Sequence, residues 1–245
     1  MEKDIVKKET EAVAKPAYIK ESTQGVEDIE VQHILLPRCK VVQGLTKEHT
    51  EDNTPLGHFV NNITRVDYGE QIDFICLFAK PGWQLYAEDE KGKRGDLIAR
   101  KFAGDFLPSM NPEAITDDMK QWKGKTPPRA VETFLFVGIV NGEDLCAISL
   151  SSKAATTGKK LNTMLVSRNE AAFAKHYVFT THKETNDDGT FFVPDVKPNG
   201  YLSEKEYAMA EALFMKYSKA KLNPETLKEE PTPPGKKKDK EEQPF

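Results

Sequence analysis

Cysteine is scarce in this chain. Its 245 residues hold three, Cys39, Cys76 and Cys146, with no C-x-x-C spacing. That excludes a disulfide-framed scaffold and a zinc knuckle, and it fits a reducing, cytoplasmic compartment. Long apolar runs are missing too. No stretch approaches the roughly 18 residues of a membrane-spanning helix, and the opening Met1-Glu2-Lys3-Asp4 is charged, so neither a membrane partner nor a signal peptide is expected. Nor is there an excess of positive charge. A formal net charge of -4 argues against a uniformly basic binder and leaves room for a local basic groove.

Catalytic signatures are also absent. There is no H-E-x-x-H, no G-x-S-x-G, and no Cys/His pair in a recognisable neighbourhood. Ala154 to Lys160 has the outline of a phosphate loop, but its leading glycine is alanine and Lys160 stands where Ser or Thr is needed. His176 and His182 could share a strand face, although a half-exposed strand explains them equally well. Asp117-Asp118 and Asp187-Asp188 lie in loop-like sequence, where Asp forms turns for its own reasons. We therefore expect no enzyme, no metal and no cofactor.

What is present falls into three parts. Residues 1–29 are polar and poor in large apolar side chains, as expected of a flexible N-terminal arm. Residues 223–245 carry five prolines and the run Lys236-Lys237-Lys238-Asp239-Lys240, as expected of an extended, disordered tail. Between them, residues 30–222 are rich in strand signals. His33 to Val42 and Gly57 to Val66 are candidate strands, followed by a turn at Tyr68-Gly69. Ile72, Phe74, Cys76 and Phe78 then alternate along a strand with one apolar face. Pro81-Gly82 breaks it, and Trp83 to Ala87 pairs back. Residues 88 to 130 read as an inserted, irregular loop region.

Asn141-Gly142 joins Thr133–Val140 to Glu143–Ser151 as a two-residue hairpin, since both positions tolerate positive φ. Gly158 to Lys175 has helical spacing, with Leu161, Leu165, Arg168 and Ala172 on one face. His176–Glu184 and Thr190–Val196 form another hairpin. Ser203-Glu204-Lys205-Glu206 is a capping box opening a final helix with Tyr207, Ala210, Phe214 and Tyr217 inward. The expected fold is mainly β with a few helices: an oligonucleotide-binding (OB)-like antiparallel barrel, an inserted loop region and a C-terminal helix. That helix packs either on the outside or on a second copy, which leaves a homodimer open.

Two clusters combine cations with rings. The first comprises Lys153, Lys159, Lys160, Arg168, Lys175 and Lys183, with Phe173, Tyr177 and Phe179 interleaved. The second comprises Lys80, Trp83, Tyr86, Lys91, Lys93 and Arg94. A groove for single strands needs both chemistries: cations for phosphates and flat rings for bases. The competing reading places Tyr177 and Phe179, which share a strand face, in the core. The chain ends Glu241-Glu242-Gln243-Pro244-Phe245, an aromatic tip on a segment with no core to bury it. Glu241, Glu242, Pro244 and Phe245 form a hook for a partner protein.

That ending resembles the acidic Pro-Phe tip of bacterial single-stranded DNA-binding proteins. More widely, the stretches ILLPRCKVVQGL (Ile34 to Leu45), Asp73 to Phe78, Leu150-Ser151-Ser152-Lys153, Thr157 to Leu161 and FFVPDVKPNGYLSEKEY (Phe191 to Tyr207) resemble phage-type replicative single-stranded DNA-binding proteins. The resemblance implies an OB-like core, sequence-independent binding of single-stranded DNA, no cofactor, and a tail that contacts replication or recombination proteins such as a polymerase, helicase or nuclease. It implies phosphate contacts for Lys153, Lys159 and Lys160 and the hook for Phe245. The tail departs from the family pattern, because lysines interrupt its acids. A phage structural or assembly module without nucleic-acid binding is the alternative, and RNA is not separable from DNA at this level.

Overall fold

The computed structural model describes residues 25–26, 28–88, 94–104, 106–124, 128–167, 169–186 and 189–221. The chain divides into two units, Met1–Glu30 and Val31–Phe245. Of the first, a turn is described, in which the Ile29 amide donates to the Val26 carbonyl at 3.1 Å. The expected arm and tail, with Glu241, Glu242, Pro244 and Phe245, fall wholly or almost wholly outside the described residues, as do Lys91, Lys93 and Arg168. Arg94 is described by its backbone alone.

The second unit is mainly antiparallel β. Strands β1 (Cys39–Val41), β2 (Phe59–Asn61) and β3 (Asp67–Gly69) make a small sheet in that order, with helix α1 (Lys47–Thr50) between the first two. The large sheet is built on β4 (Gln71–Glu88), with β5 (Arg94–Phe102), β6 (Ala130–Val140), β7 (Asp144–Ser151), β8 (Lys175–Asn186) and β9 (Gly189–Tyr201). Its path runs β7-β6-β4-β8-β9, and β5 pairs with the far half of β4. Helix α2 (Ala155–Val166) precedes β8, and α3 (Glu204–Tyr217) follows β9.

Strand β4 differs from its sequence reading in two ways. It buries both faces. Phe74 and Cys76 pack with Phe136, Ile148 and Phe179, while Ile75 and Leu77 pack with Leu135, Val137 and α3 residues Ala210 and Tyr217. A register shift between Cys76 and Phe78 makes Leu77 an extra residue, which turns Phe78 to the second face. The strand also continues through Pro81-Gly82. Pairing with β8 ends at Ile75 and pairing with β5 starts at Gly82, so Pro81 sits where one side of β4 has no strand partner. Proline is tolerated there as on an edge.

The hairpin forms with its turn at Asn141-Gly142, where φ is 50° and 77°, but Val140 pairs with Asp144, so Glu143 joins the loop and makes it three residues long rather than two. The capping box forms too. The Ser203 amide donates to Glu206 Oε2 at 2.9 Å, and the Glu206 amide donates to Ser203 Oγ at 3.4 Å. The helix expected over Gly158 to Lys175 is shorter and earlier. It ends at Val166, and Ala172 lies in a separate 3-10 turn. A Cβ on Gly158 would meet the Phe134 ring at 2.6 Å, so glycine lets α2 lie directly on β6. The strand expected from His33 shrinks to β1, because Val31–His33 is a 3-10 turn and Pro37 follows. Tyr68-Gly69 belongs to β3 rather than to a turn.

The expected barrel is not closed. Strands β7 and β9 are the two ends of the large sheet's path. The small sheet bridges between them. Arg38 pairs with Ala147 beside β7, and the Gln43 side chain clamps the Phe192 backbone of β9 with bonds of 2.8 and 2.9 Å.

Candidate nucleic-acid interface

The seam left by the open barrel holds a groove of about 750 Å³. Its walls are β1 and the loop to Leu45, the end of β7 with the 3-10 turn Ser152–Ala154, and the first residues of β9. Thr157 at the start of α2 donates to the Pro194 carbonyl at 2.6 Å and ties that helix to β9. Lys40, Lys153, Phe191 and Phe192 line the groove. The Lys153 ammonium stands 4.1 Å from the Phe191 ring centroid and 3.5 Å from Glu184 Oε2, with its side chain 54% exposed. Lys40 lies 3.0 Å from Glu48, which is almost fully buried and also ion-paired to Arg65. Burial alone would raise the Glu48 carboxyl. A backbone hydrogen bond, Lys40 and Arg65 outweigh it and hold the group below the usual carboxylate range.

Helix α2 carries the next two cations on opposite flanks. Lys159 reaches Glu132 of β6 at 2.6 Å, and Lys160 reaches Asp195 of β9 at 2.7 Å. Burial pushes Asp195 up, but the bond from Lys160 leaves it below its ordinary value. Glu132 is the direct cross-strand partner of Trp83. Opposed residues in an antiparallel pair share a face, so Trp83, Glu132 and Lys159 lie on one side of the sheet. Trp83 is half-buried against the cluster of Leu85, Ala99, Ile115 and Ala130, and Lys120 sits 5.5 Å from its ring. Trp83 and Lys159 thus lie on one side of the sheet, while Lys160 reaches across to β9 and Lys153 lines the groove.

Other expected site residues lie elsewhere. Lys80 is three residues before Trp83 in an unshifted stretch of β4, so it faces the opposite side, 5.9 Å from the rings of Phe78 and Phe106. Tyr86 is buried, its hydroxyl donating to Gln84 at 3.1 Å. Phe173 is buried between Tyr207 and Phe214, at centroid distances of 5.1 and 5.4 Å. Tyr177 is buried beside Phe74 and Val196, which pushes its hydroxyl up to about 12. The stacking role expected of Tyr86, Phe173 and Tyr177 is therefore corrected: core packing covers their rings. Lys175 is also buried, ion-paired to Glu170 and 4.6 Å from the Tyr201 ring.

Three residues with the right chemistry escaped the sequence reading as site residues: Phe191, Phe192 and Trp122. The two phenylalanines open the FFVPDVKP stretch, apart from both basic, aromatic clusters. Trp122 is 66% exposed and sits between Lys120 and Lys123. A ring flanked by lysines in a loop was a legible signal. His176 bonds Asp73 at 2.6 Å, and His182 bonds Glu184 at 3.2 Å. Among the described residues no group of three or more His, Cys, Asp or Glu side chains could hold a metal. Burial raises all three thiols, Cys146 to about 11.

The described residues thus define a mainly antiparallel β protein with a cation-lined groove at the seam of an open sheet. The chain belongs to the family of Pam3 phage gp34-like proteins, whose model matches residues 7–223, and it is a phage protein on that ground. Neither a curated protein nor a solved structure matches it. Among the described residues no helix is long and apolar enough to cross a membrane.

Proposed function

We propose that this phage protein is a non-enzymatic, sequence-independent single-stranded DNA-binding protein. It would act in replication, recombination or repair in the host cytoplasm, and its tip at Glu241, Glu242, Pro244 and Phe245 would recruit partners. The observation that carries the reading is the shared surface. The Trp83–Glu132 strand pair and the Lys159–Glu132 ion pair set Lys159 on the Trp83 side of the sheet, and the turn leading into the same helix carries Lys153, which faces Phe191 at the groove.

The lysines on this surface are paired with carboxylates, yet they remain 48–61% exposed. An exposed ion pair is worth about 0–1 kcal/mol, so a phosphate can replace the carboxylate at little cost while counterions leave the strand. When Lys153 turns to a phosphate it uncovers Phe191, whose ring face then accepts a base. Such stacking contributes about 1–3 kcal/mol per base and tolerates any sequence.

The same ion pairs, with a net charge of -4, favour a competing reading as an assembly module that binds protein. Titration of labelled oligo-dT at low salt separates the two. The DNA reading expects saturable binding that weakens steeply with salt; absence of binding at low salt refutes it and leaves the assembly reading.

A further inference from the structure

We propose that Trp122, rather than Trp83, is the base-stacking ring at the far end of this surface, so that the bound strand runs from the groove past Lys159 to the loop carrying Trp122. The inference rests on the DNA-binding reading and adds a contact region to it. Trp83 is poorly placed to take a base. It is half-buried in the cluster of Leu85, Ala99, Ile115 and Ala130, and Lys120 stands over its ring at 5.5 Å. Trp83 instead serves as a seat for Lys120.

That seating holds the following loop on the same side of the sheet as Lys159. The Lys120 ammonium also bonds the Asp117 carboxylate at 2.9 Å across the 3-10 turn Asp118–Lys120, whose backbone is closed by the Lys120 amide donating to the Asp117 carbonyl at 3.2 Å, and Lys123 bonds Asp118 at 2.6 Å. Between these two anchored lysines Trp122 stands 66% exposed. An indole left in water within a pinned basic loop has both parts of a single-strand contact: a flat face for a base and two cations in exposed pairs for the flanking phosphates.

The chain has two tryptophans, so single replacements assign the signal. The full chain is titrated with labelled oligo-dT of about 6 and about 16 nucleotides, the range of ordinary site sizes, following probe anisotropy and tryptophan emission together. In Trp83→Phe, where Trp122 remains, the long probe quenches emission strongly. In Trp122→Phe, where Trp83 remains, emission barely changes. Trp122→Ala weakens the long probe about tenfold and leaves the short probe, which the groove alone can hold, unchanged. If the wild type binds both probes by anisotropy while Trp122→Ala binds them as well as wild type and Trp122 emission is not quenched, this inference falls and the DNA-binding reading stands. If the wild type binds neither probe at low salt, both fall.

Discussion

Two lysines in this protein have the same pair of neighbours and opposite fates. Lys153 stands 4.1 Å from the Phe191 ring with Glu184 beside it. Lys175 stands 4.6 Å from the Tyr201 ring with Glu170 beside it. In sequence they belong to one basic, aromatic stretch. The difference is cover: the Lys153 side chain is 54% exposed at the groove, whereas that of Lys175 is 11% exposed near the seam where α3 closes on the sheet. A cation beside a ring thus becomes a ligand-binding device or a structural tie according to what packs around it.

The comparison breaks most forcefully at Phe173, the ring behind the closed region. Phe173→Ala should cost about 3–5 kcal/mol, because the ring fills a buried site between Tyr207 and Phe214. Urea denaturation checks it. A loss below 1 kcal/mol would mean that α3 does not pack there. The open region should respond in the opposite sense. Replacing Lys153, Lys159 and Lys160 together by Ala should leave stability within about 1 kcal/mol. The same change should lower the salt slope of oligo-dT binding by about 2, the value for three phosphates on a single strand.

Glu48 sharpens the contrast through pH. Its folded pKa lies below its ordinary value, so its stabilising contribution is complete above the usual carboxylate pKa of about 4.3. That contribution is lost as pH falls through the lower folded value. Thermal melts from neutral to acid pH should show wild type losing its advantage over Glu48→Gln in that acid window. A constant gap between the two at every pH would contradict the role of the Lys40 and Arg65 pairs. The smallest effect is expected at Glu184 and Asp195. Glu184→Gln with Asp195→Asn should tighten oligo-dT binding a few-fold, because phosphates no longer displace a carboxylate. Weaker binding would show instead that the acids position the lysines.

The sequence was most readable where one local rule decides the structure. Asn141-Gly142 makes its turn and Ser203 with Glu206 makes its cap, because backbone φ and one hydrogen-bond pair are local matters. The mainly β class was readable from strand patterning. The interruption of β4 at Pro81 was misjudged, because tolerance of proline depends on where the neighbouring strands β8 and β5 stop and start. Barrel closure depends on which edges meet, and here β7 and β9 meet the small sheet instead. The site was half-readable. Lysines at the start of α2 are exposed because helix flanks point to water. Whether a ring stacks on a base or fills a core is decided by long-range packing, which hid Tyr177 and left Phe191 at the groove.

The most direct test of the central claim is the salt dependence of oligo-dT binding, measured side by side on wild type and on the variant with Lys153, Lys159 and Lys160 all changed to Ala. The account requires saturable wild-type binding at low salt, with a log-log slope about 2 steeper than that of the variant. Equal slopes would remove phosphates from the α2 surface, and absence of binding by the wild type would remove single-stranded DNA from the account altogether.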